Sequence, residues 1–289
     1  MKRNPLTFTS TSDAIIKFTV SDRDVYKCQK NEKHAITDIY YRIFKGRCFP
    51  DWRLCVFKES DLNGQDSAAR IYESHFILEA GDKLQLESKG MVYSPKFSIL
   101  NAGISMVKAS GNIMSLMNYS DTVPYGGFRR TFVNCINLYS APELPATNLS
   151  DCCYQEMFSG CTNLQAAPEL PATKLADACY MEMFQKCTWM KKAPKILPAK
   201  TLKAWCYAYM FYGCYDLKAA PMLLATKLAD RCYYRMFYGC PDVTNIKLPR
   251  VIITGAADHM NEATTLTPNY SIIPSSSLSK REYKVYSDF

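Results

Sequence analysis

The stretch Cys153–Thr173 reads CYQEMFSGCTNLQAAPELPAT; it returns at Cys179–Ala199 as CYMEMFQKCTWMKKAPKILPA and at Cys206–Thr226 as CYAYMFYGCYDLKAAPMLLAT. Such a repeat decides the fold before any single residue does, because a unit that cannot bury its own apolar side must lean on its neighbours. Phe132, Phe158, Phe184, Phe211 and Phe237 each stand three residues before a cysteine (Cys135, Cys161, Cys187, Cys214 and Cys240), at steps of 26, 26, 27 and 26 residues. A second column, Cys153, Cys179, Cys206 and Cys232, keeps the step, and each member is followed by a tyrosine: Tyr154, Tyr180, Tyr207 and Tyr233. Four near-complete units and one partial unit thus run from about Thr131 to Arg250.

Inside a unit, Leu149, Cys153 and Met157 fall at i, i+4 and i+8, with Tyr154 and Phe158 as a parallel pair. This spacing predicts one apolar stripe of a helix about three turns long. Leu175, Cys179 and Met183 repeat it. Thr147, Thr173, Thr201 and Thr226 stand where an N-cap hydroxyl would sit, and Gly160, Gly213 and Gly239 suit the helix exit. The following piece, TNLQAAPEL or YDLKAAPML, predicts a short strand ended by Pro168, Pro194 or Pro221, since proline cannot donate to a ladder. Short parallel strands plus short helices, repeated at this interval, make a leucine-rich-repeat solenoid, whose units run ~20–29 residues. Cysteine is small and behaves as an apolar residue, so the two columns read as reduced packing residues, with disulfides or redox chemistry as the alternative.

Before the repeat, strand signals dominate. AIIKFTV alternates Ile16, Phe18 and Val20, DIYYRIF and RLCVF are aromatic and β-branched, and Asn63-Gly64 marks a turn. RIYESHFILEAGDKLQLES reads as two strands joined through Ala80-Gly81-Asp82. The expected class is α+β: a β-rich, sandwich-like domain over 1–110, a connector over 111–130 that docks on the solenoid end, the solenoid over 131–250, and a C-terminal cap and tail over 251–289. VIITGAADHMNEATTL reads as an atypical final unit. REYKVYSDF is either a free tail or a strand that adds to something, such as another subunit.

The chain of 289 residues carries a net charge of +8, with its basic residues scattered along it. That balance suits an acidic partner without marking nucleic-acid binding. No apolar run approaches the ~18 residues of a membrane span. The opening MKRNPLTFTSTSDAIIKF lacks the apolar segment of an export signal. Catalytic motifs are missing too: no Gly-x-Ser-x-Gly elbow, no phosphate loop and no His-Glu-x-x-His. His34, His75 and His259 lack metal-ligand spacing, and ESDLNGQD lacks that of a calcium loop. Glu156 and Glu182 recur with the repeat and read as solvated faces. The sequence therefore implies no cofactor, no metal and no enzyme activity.

The informative residues are those that break the repeat. In its variable slots the last two full units carry Trp189, Trp205, Tyr209, Tyr212, Tyr215, Tyr234 and Tyr238. Aromatic side chains with a polar tip are favoured at interfaces, so these seven are the candidate partner-binding residues. The alternative is that some tuck against adjacent units or the C-terminal segment.

The units MFSGCTNLQAAPELPATKLADACY and MFYGCYDLKAAPMLLATKLADRCYYRMF resemble the BspA-type leucine-rich repeats of gut-anaerobe surface proteins and their phages. The resemblance covers about 120 residues and rests on Met-Phe-x-Gly-Cys, Ala-Pro-x-Leu-Pro-Ala-Thr and Cys-Tyr recurring in order. It also touches the lead-in VKASGNIMSLMNYSDTVPYGGFRRTFVNC. It implies binding and adhesion rather than catalysis. With no export signal read at the N-terminus, the expectation is a structural or host-recognition component of a phage particle, in or near the tail or its fibres. Its partners would be other subunits of an assembly, as a homo-oligomer, or a host surface protein or glycan; a virion location follows. The alternatives are a bacterial cell-surface adhesion protein and, third, a glycan-processing enzyme that keeps its site within 25–61.

Overall fold

The computed structural model describes residues 4–21, 38–46, 50–56, 58–59, 71–92, 94–100, 106–243, 246, 270–274 and 283–287. The Asn63-Gly64 turn, Cys28, Cys48, His34, His259 and the expected final unit lie outside the described residues, as does most of 25–61.

Among the described residues nine strands precede the repeat: β1 (Leu6–Ser10), β2 (Ala14–Ser21), β3 (Ile39–Phe44), β4 (Arg53–Leu54), β5 (Lys58–Glu59), β6 (Ile71–Leu78), β7 (Lys83–Ser88), β8 (Lys96–Leu100) and β9 (Val107–Ser110). They form two sheets. One has the order β5-β6-β2-β8; the other runs β9-β1-β7-β3-β4. Strand alternation sends Ile16, Phe18 and Val20 inward from the first sheet and Leu84 and Leu86 from the second. Rings close the space between the sheets: Phe8 lies 4.9 Å from Phe97 and Tyr41 lies 5.0 Å from Phe76. The two strands expected on either side of Ala80-Gly81-Asp82 exist but do not pair as a hairpin. They belong to different sheets, and the connection crosses between them with Gly81 at φ +85°.

The repeat overturns the expected α+β class. Among the described residues the only helix is a 3-10 turn at Ile113–Leu116, and no α-helix forms. The leucine-rich-repeat solenoid with short helices is therefore not the structure of this chain. In place of each helix stands a chain of overlapping tight turns. Cys153 N–H donates to Ser150 O, Gln155 to Cys152, Met157 to Tyr154, Ser159 to Glu156 and Cys161 to Phe158. Every alternate N–H instead reaches the next unit: Cys152 to Asp177 O, Tyr154 to Cys179, Glu156 to Met181, Phe158 to Met183 and Gly160 to Gln185. Each unit is thus one rung of a ladder, and every N–H from Cys152 to Cys161 has an acceptor, as burial demands.

The local cause is a backbone period of four. Cys152, Glu156 and Gly160 have φ of 55°, 54° and 75°, and the same slots hold Ala178, Glu182 and Lys186, then Trp205, Tyr209 and Gly213, then Arg231, Arg235 and Gly239. A tight turn with positive φ at its third residue alternates with one without. Cys153, Tyr154, Met157 and Phe158 lie in the inward turns and are fully buried, whereas Glu156 in the outward one is partly exposed. A helix places residues four apart on one face as well, drifting only about 40° per step, so the apolar stripe does not separate the two. The repeated glycines are helix exits no longer. They are the left-handed residues of the last turn.

Threonines expected as N-caps stand on or beside a parallel ladder: Thr201 bridges to Lys174 on one side and Lys227 on the other. The strand expected before the proline forms in the first unit as β11 (Leu138–Ser140), but is a single bridge, Ala166 to Lys192, further on. Two-residue parallel pairs lie elsewhere: β10 (Thr122–Val123) with β12 (Asn148–Leu149), and β13 (Ile196–Leu197) with β14 (Met222–Leu223). At the C-terminus β15 (Tyr270–Pro274) pairs antiparallel with β16 (Tyr283–Ser287), so the tail strand adds to its own chain.

The sandwich and the rungs share one core. β11 joins the larger sheet parallel to β9, and Phe97 donates its N–H to Thr131 O at 2.8 Å. Rings then stack along the molecule from Phe97 through Phe132, Phe158, Phe184 and Phe211 to Phe237, at 5.2, 5.2, 5.6, 5.5 and 5.6 Å. A second column runs from Phe128 through Tyr154, Tyr180 and Tyr207 to Tyr233, at 5.8, 5.6, 5.8 and 5.8 Å.

Candidate binding face on the outward turns

The outward turns carry side chains that the ladder does not need, and these change character from rung to rung. One left-handed column reads Arg130, Glu156, Glu182, Tyr209 and Arg235; its neighbour ends in Trp205 and Arg231. Near the sandwich the column is ionic. Glu156 sits between the guanidinium groups of Arg129 and Arg130 at 3.7 and 3.4 Å. Burial and the adjacent Glu156 push the Glu182 carboxyl above its ordinary pKa, and the two arginines partly offset this. Glu156 is thus ion-paired on this face, with Glu182 beside it one rung on.

On the last two rungs the column turns aromatic. Tyr209 meets Tyr234 edge-on at 5.2 Å and Tyr212 at 5.8 Å; Trp205 meets Tyr234 at 6.1 Å, and Tyr212 stacks on Tyr238 at 5.1 Å. Two guanidinium groups lie over these rings. Arg231 is 4.8 Å from the Trp205 ring, while Arg235 is 5.2 Å from Tyr234 and 5.6 Å from Tyr238. Such contacts orient the cations against the rings. Burial, followed by the charge and hydrogen bond of Tyr234, raises the Tyr209 hydroxyl pKa.

Five of the seven candidate residues are therefore brought together: Trp205, Tyr209, Tyr212, Tyr234 and Tyr238. Trp189 and Tyr215 are more exposed, at 57% and 60%, but stand past the turn chain, after Cys187 and Cys214, and take no part in the ring network. Sequence reading missed Arg231 and Arg235. The signal was present, because both occupy the slots of Trp205 and Tyr209 one repeat later.

The cysteine columns are part of the frame. Cys161, Cys187, Cys214 and Cys240 donate their thiol hydrogens to Phe132, Phe158, Phe184 and Phe211 O, each in the preceding rung, at 2.9–3.1 Å. Cys135 does the same to Phe97 O at 3.1 Å. A thiol therefore has a role that alanine or valine lacks. Burial pushes the Cys135, Cys179, Cys232 and Cys240 pKa up to about 12, which leaves almost no thiolate for chemistry. Among the described residues no three His, Cys, Asp or Glu side chains gather as a metal site, and no helix is long and apolar enough to cross a membrane. No family model, no curated protein and no solved structure matches this chain.

Proposed function

We propose that the protein is a non-enzymatic recognition component of a phage particle, in or near the tail or its fibres, and that it binds a host surface glycan or protein through the aromatic face of its last rungs. The observation that carries this reading is the ring network of Trp205, Tyr209, Tyr212, Tyr234 and Tyr238 with Arg231 and Arg235 laid over it. Rigid rings with polar tips and pre-placed guanidinium groups are what contact sites use, and the ladder does not need them. The particle assignment rests on the BspA-type resemblance, which also supports a bacterial cell-surface adhesion protein as a second reading. Weak single faces bind tightly when several copies act together, in keeping with a homo-oligomer.

A glycan array probed with the full chain tests the face. Signals of the wild type on neutral glycans are expected to fall at least about tenfold in a Tyr209→Ala/Tyr234→Ala double variant of unchanged thermal midpoint. Equal signals from both proteins would remove this face from the function. Antibody labelling then separates the two locations: decoration of purified particles supports the virion, and decoration of intact cells supports the adhesin.

A further inference from the structure

Basic residues that look scattered along the sequence are gathered by the ladder. From Lys174 to Asp242 the chain has eleven Lys and Arg against five Asp and Glu. Three of these lysines, Lys174, Lys200 and Lys203, line one groove of about 640 Å³, with Thr173, Thr201, Leu175 and Pro198 completing its walls. The backbone explains their meeting. Lys174 bridges in parallel to Thr201, and Thr201 to Lys227, so segments one repeat apart in sequence lie one rung apart in space, ~4.8 Å. Lys227 continues the same edge beyond the groove.

All four lysines are exposed, and among the described residues none has a carboxylate within ion-pair distance. Asp177, the acid nearest in sequence to Lys174, already accepts the Ala204 N–H at 3.1 Å. Like charges held together with no carboxylate in ion-pair reach repel one another, and a groove that collects them is complementary to an anion.

We infer that this groove binds an acidic polysaccharide, a chain carrying carboxylate or sulfate on successive sugars. Lysine heads supply point charges that tolerate either anion. Leu175 and Pro198 offer an apolar floor for the C–H face of a pyranose ring, and the Thr173 and Thr201 hydroxyls match its hydroxyls. The rung spacing is close to the length of one pyranose, so a polymer meets a new cation at each step. Nucleic acid fits less well, because no aromatic side chain lines the groove to stack a base. None of the residues of the aromatic face lines the groove, so either can fail without the other.

The test is calorimetric titration of the full chain, at low and at physiological salt, with oligogalacturonate, a heparin-derived oligosaccharide, neutral dextran and single-stranded oligo(dT). Binding of oligogalacturonate (carboxylate) or the heparin fragment (sulfate), weakening with salt, is expected. Dextran should not bind. In Lys174→Gln/Lys200→Gln/Lys203→Gln the affinity should fall on the order of tenfold or more and lose much of its salt dependence. A control that removes three lysines from the sandwich, Lys83→Gln/Lys96→Gln/Lys108→Gln, should bind as the wild type does. Lys200→Glu alone should weaken binding if the triple variant folds poorly. The inference is overturned if neither acidic oligosaccharide binds, if the two triple variants lose affinity equally, or if oligo(dT) binds as tightly as the acidic sugars.

Discussion

At the scale of the residue, the cysteines carry the clearest lesson. Their identity down a column is more than a choice of small apolar side chain. Phe132 O already accepts the Cys135 N–H at 3.1 Å, and the Cys161 thiol adds a second bond to the same oxygen from the next rung. A buried carbonyl with two lone pairs is better satisfied by two donors. The same burial makes the thiols inert. A pKa of about 12 leaves roughly one thiol in ten thousand ionised at pH 8, and a closed core blocks the reagent. Native protein treated with iodoacetamide at pH 8 and mapped by mass spectrometry is expected to show modification, among the ten cysteines from Cys135 to Cys240, at half-buried Cys152 alone. All ten should react after denaturation. Rapid native labelling of Cys187 or Cys214 would mean that the rungs open on the timescale of the reagent.

At the scale of the element, the turn chain has a cost that is visible in its dihedrals. Eleven non-glycine residues between Arg130 and Arg235 hold positive φ, each at ~1–2 kcal/mol against the right-handed region. The inter-rung hydrogen bonds and the buried ring columns must offset it. Where the left-handed slot holds alanine with its side chain only half-buried, glycine should serve better. Ala178→Gly is expected to stabilise the protein by several tenths of a kcal/mol, the relief of φ 52° less the added entropy of the unfolded chain. Gly160→Ala should do the reverse by about 1–2 kcal/mol, because its Cβ would meet Asn134 Oδ1 at 2.1 Å as well as strain the turn. Urea titration of both variants checks the signs, and a stabilising Gly160→Ala would contradict the turn geometry. This element is also where the sequence was least legible. The repeat length, the buried Cys, Tyr, Met and Phe slots, and the alternation of Ile16, Phe18 and Val20 could be read directly, since burial leaves a pattern whatever the backbone does. Helix against turn chain could not, because over nine residues a period of four mimics 3.6. Three facts favoured turns: strictly paired apolar residues, glycine in one slot, and the same phase in every unit. The candidate face was half legible. Its rings stood out as departures from the repeat, whereas Arg231 and Arg235 did not, because arginine in a variable slot reads as a solvated charge until the rungs place a ring beneath it.

At the scale of the whole molecule, sandwich and rungs meet through a joint with no slack. The 3-10 turn Ile113–Leu116 is wholly buried, and Ser115 there donates to Leu86 O and accepts the Leu6 N–H, both at 2.9 Å. Gly111 stands at the centre of this joint with φ +74°, and its carbonyl accepts the Glu143 N–H from the first rung at 2.8 Å. On its other side a Cβ would fall 2.1 Å from Pro5 O and 3.0 Å from Pro5 C, both backbone atoms that cannot rotate away. Gly111→Ala must therefore displace β1 or the first rung and strain its own dihedral, for an expected loss of roughly 2–3 kcal/mol. Because the Phe97-to-Phe237 column carries one core across the joint, that loss should not stay local. Differential scanning calorimetry is expected to show a single transition in the wild type, and in Gly111→Ala the same single transition about 5–10 °C lower. A variant whose thermogram splits into two peaks, the later one at the wild-type midpoint, would instead show that the rungs hold together without the sandwich. The shared ring column would then be contact between two independent bodies rather than one cooperative core.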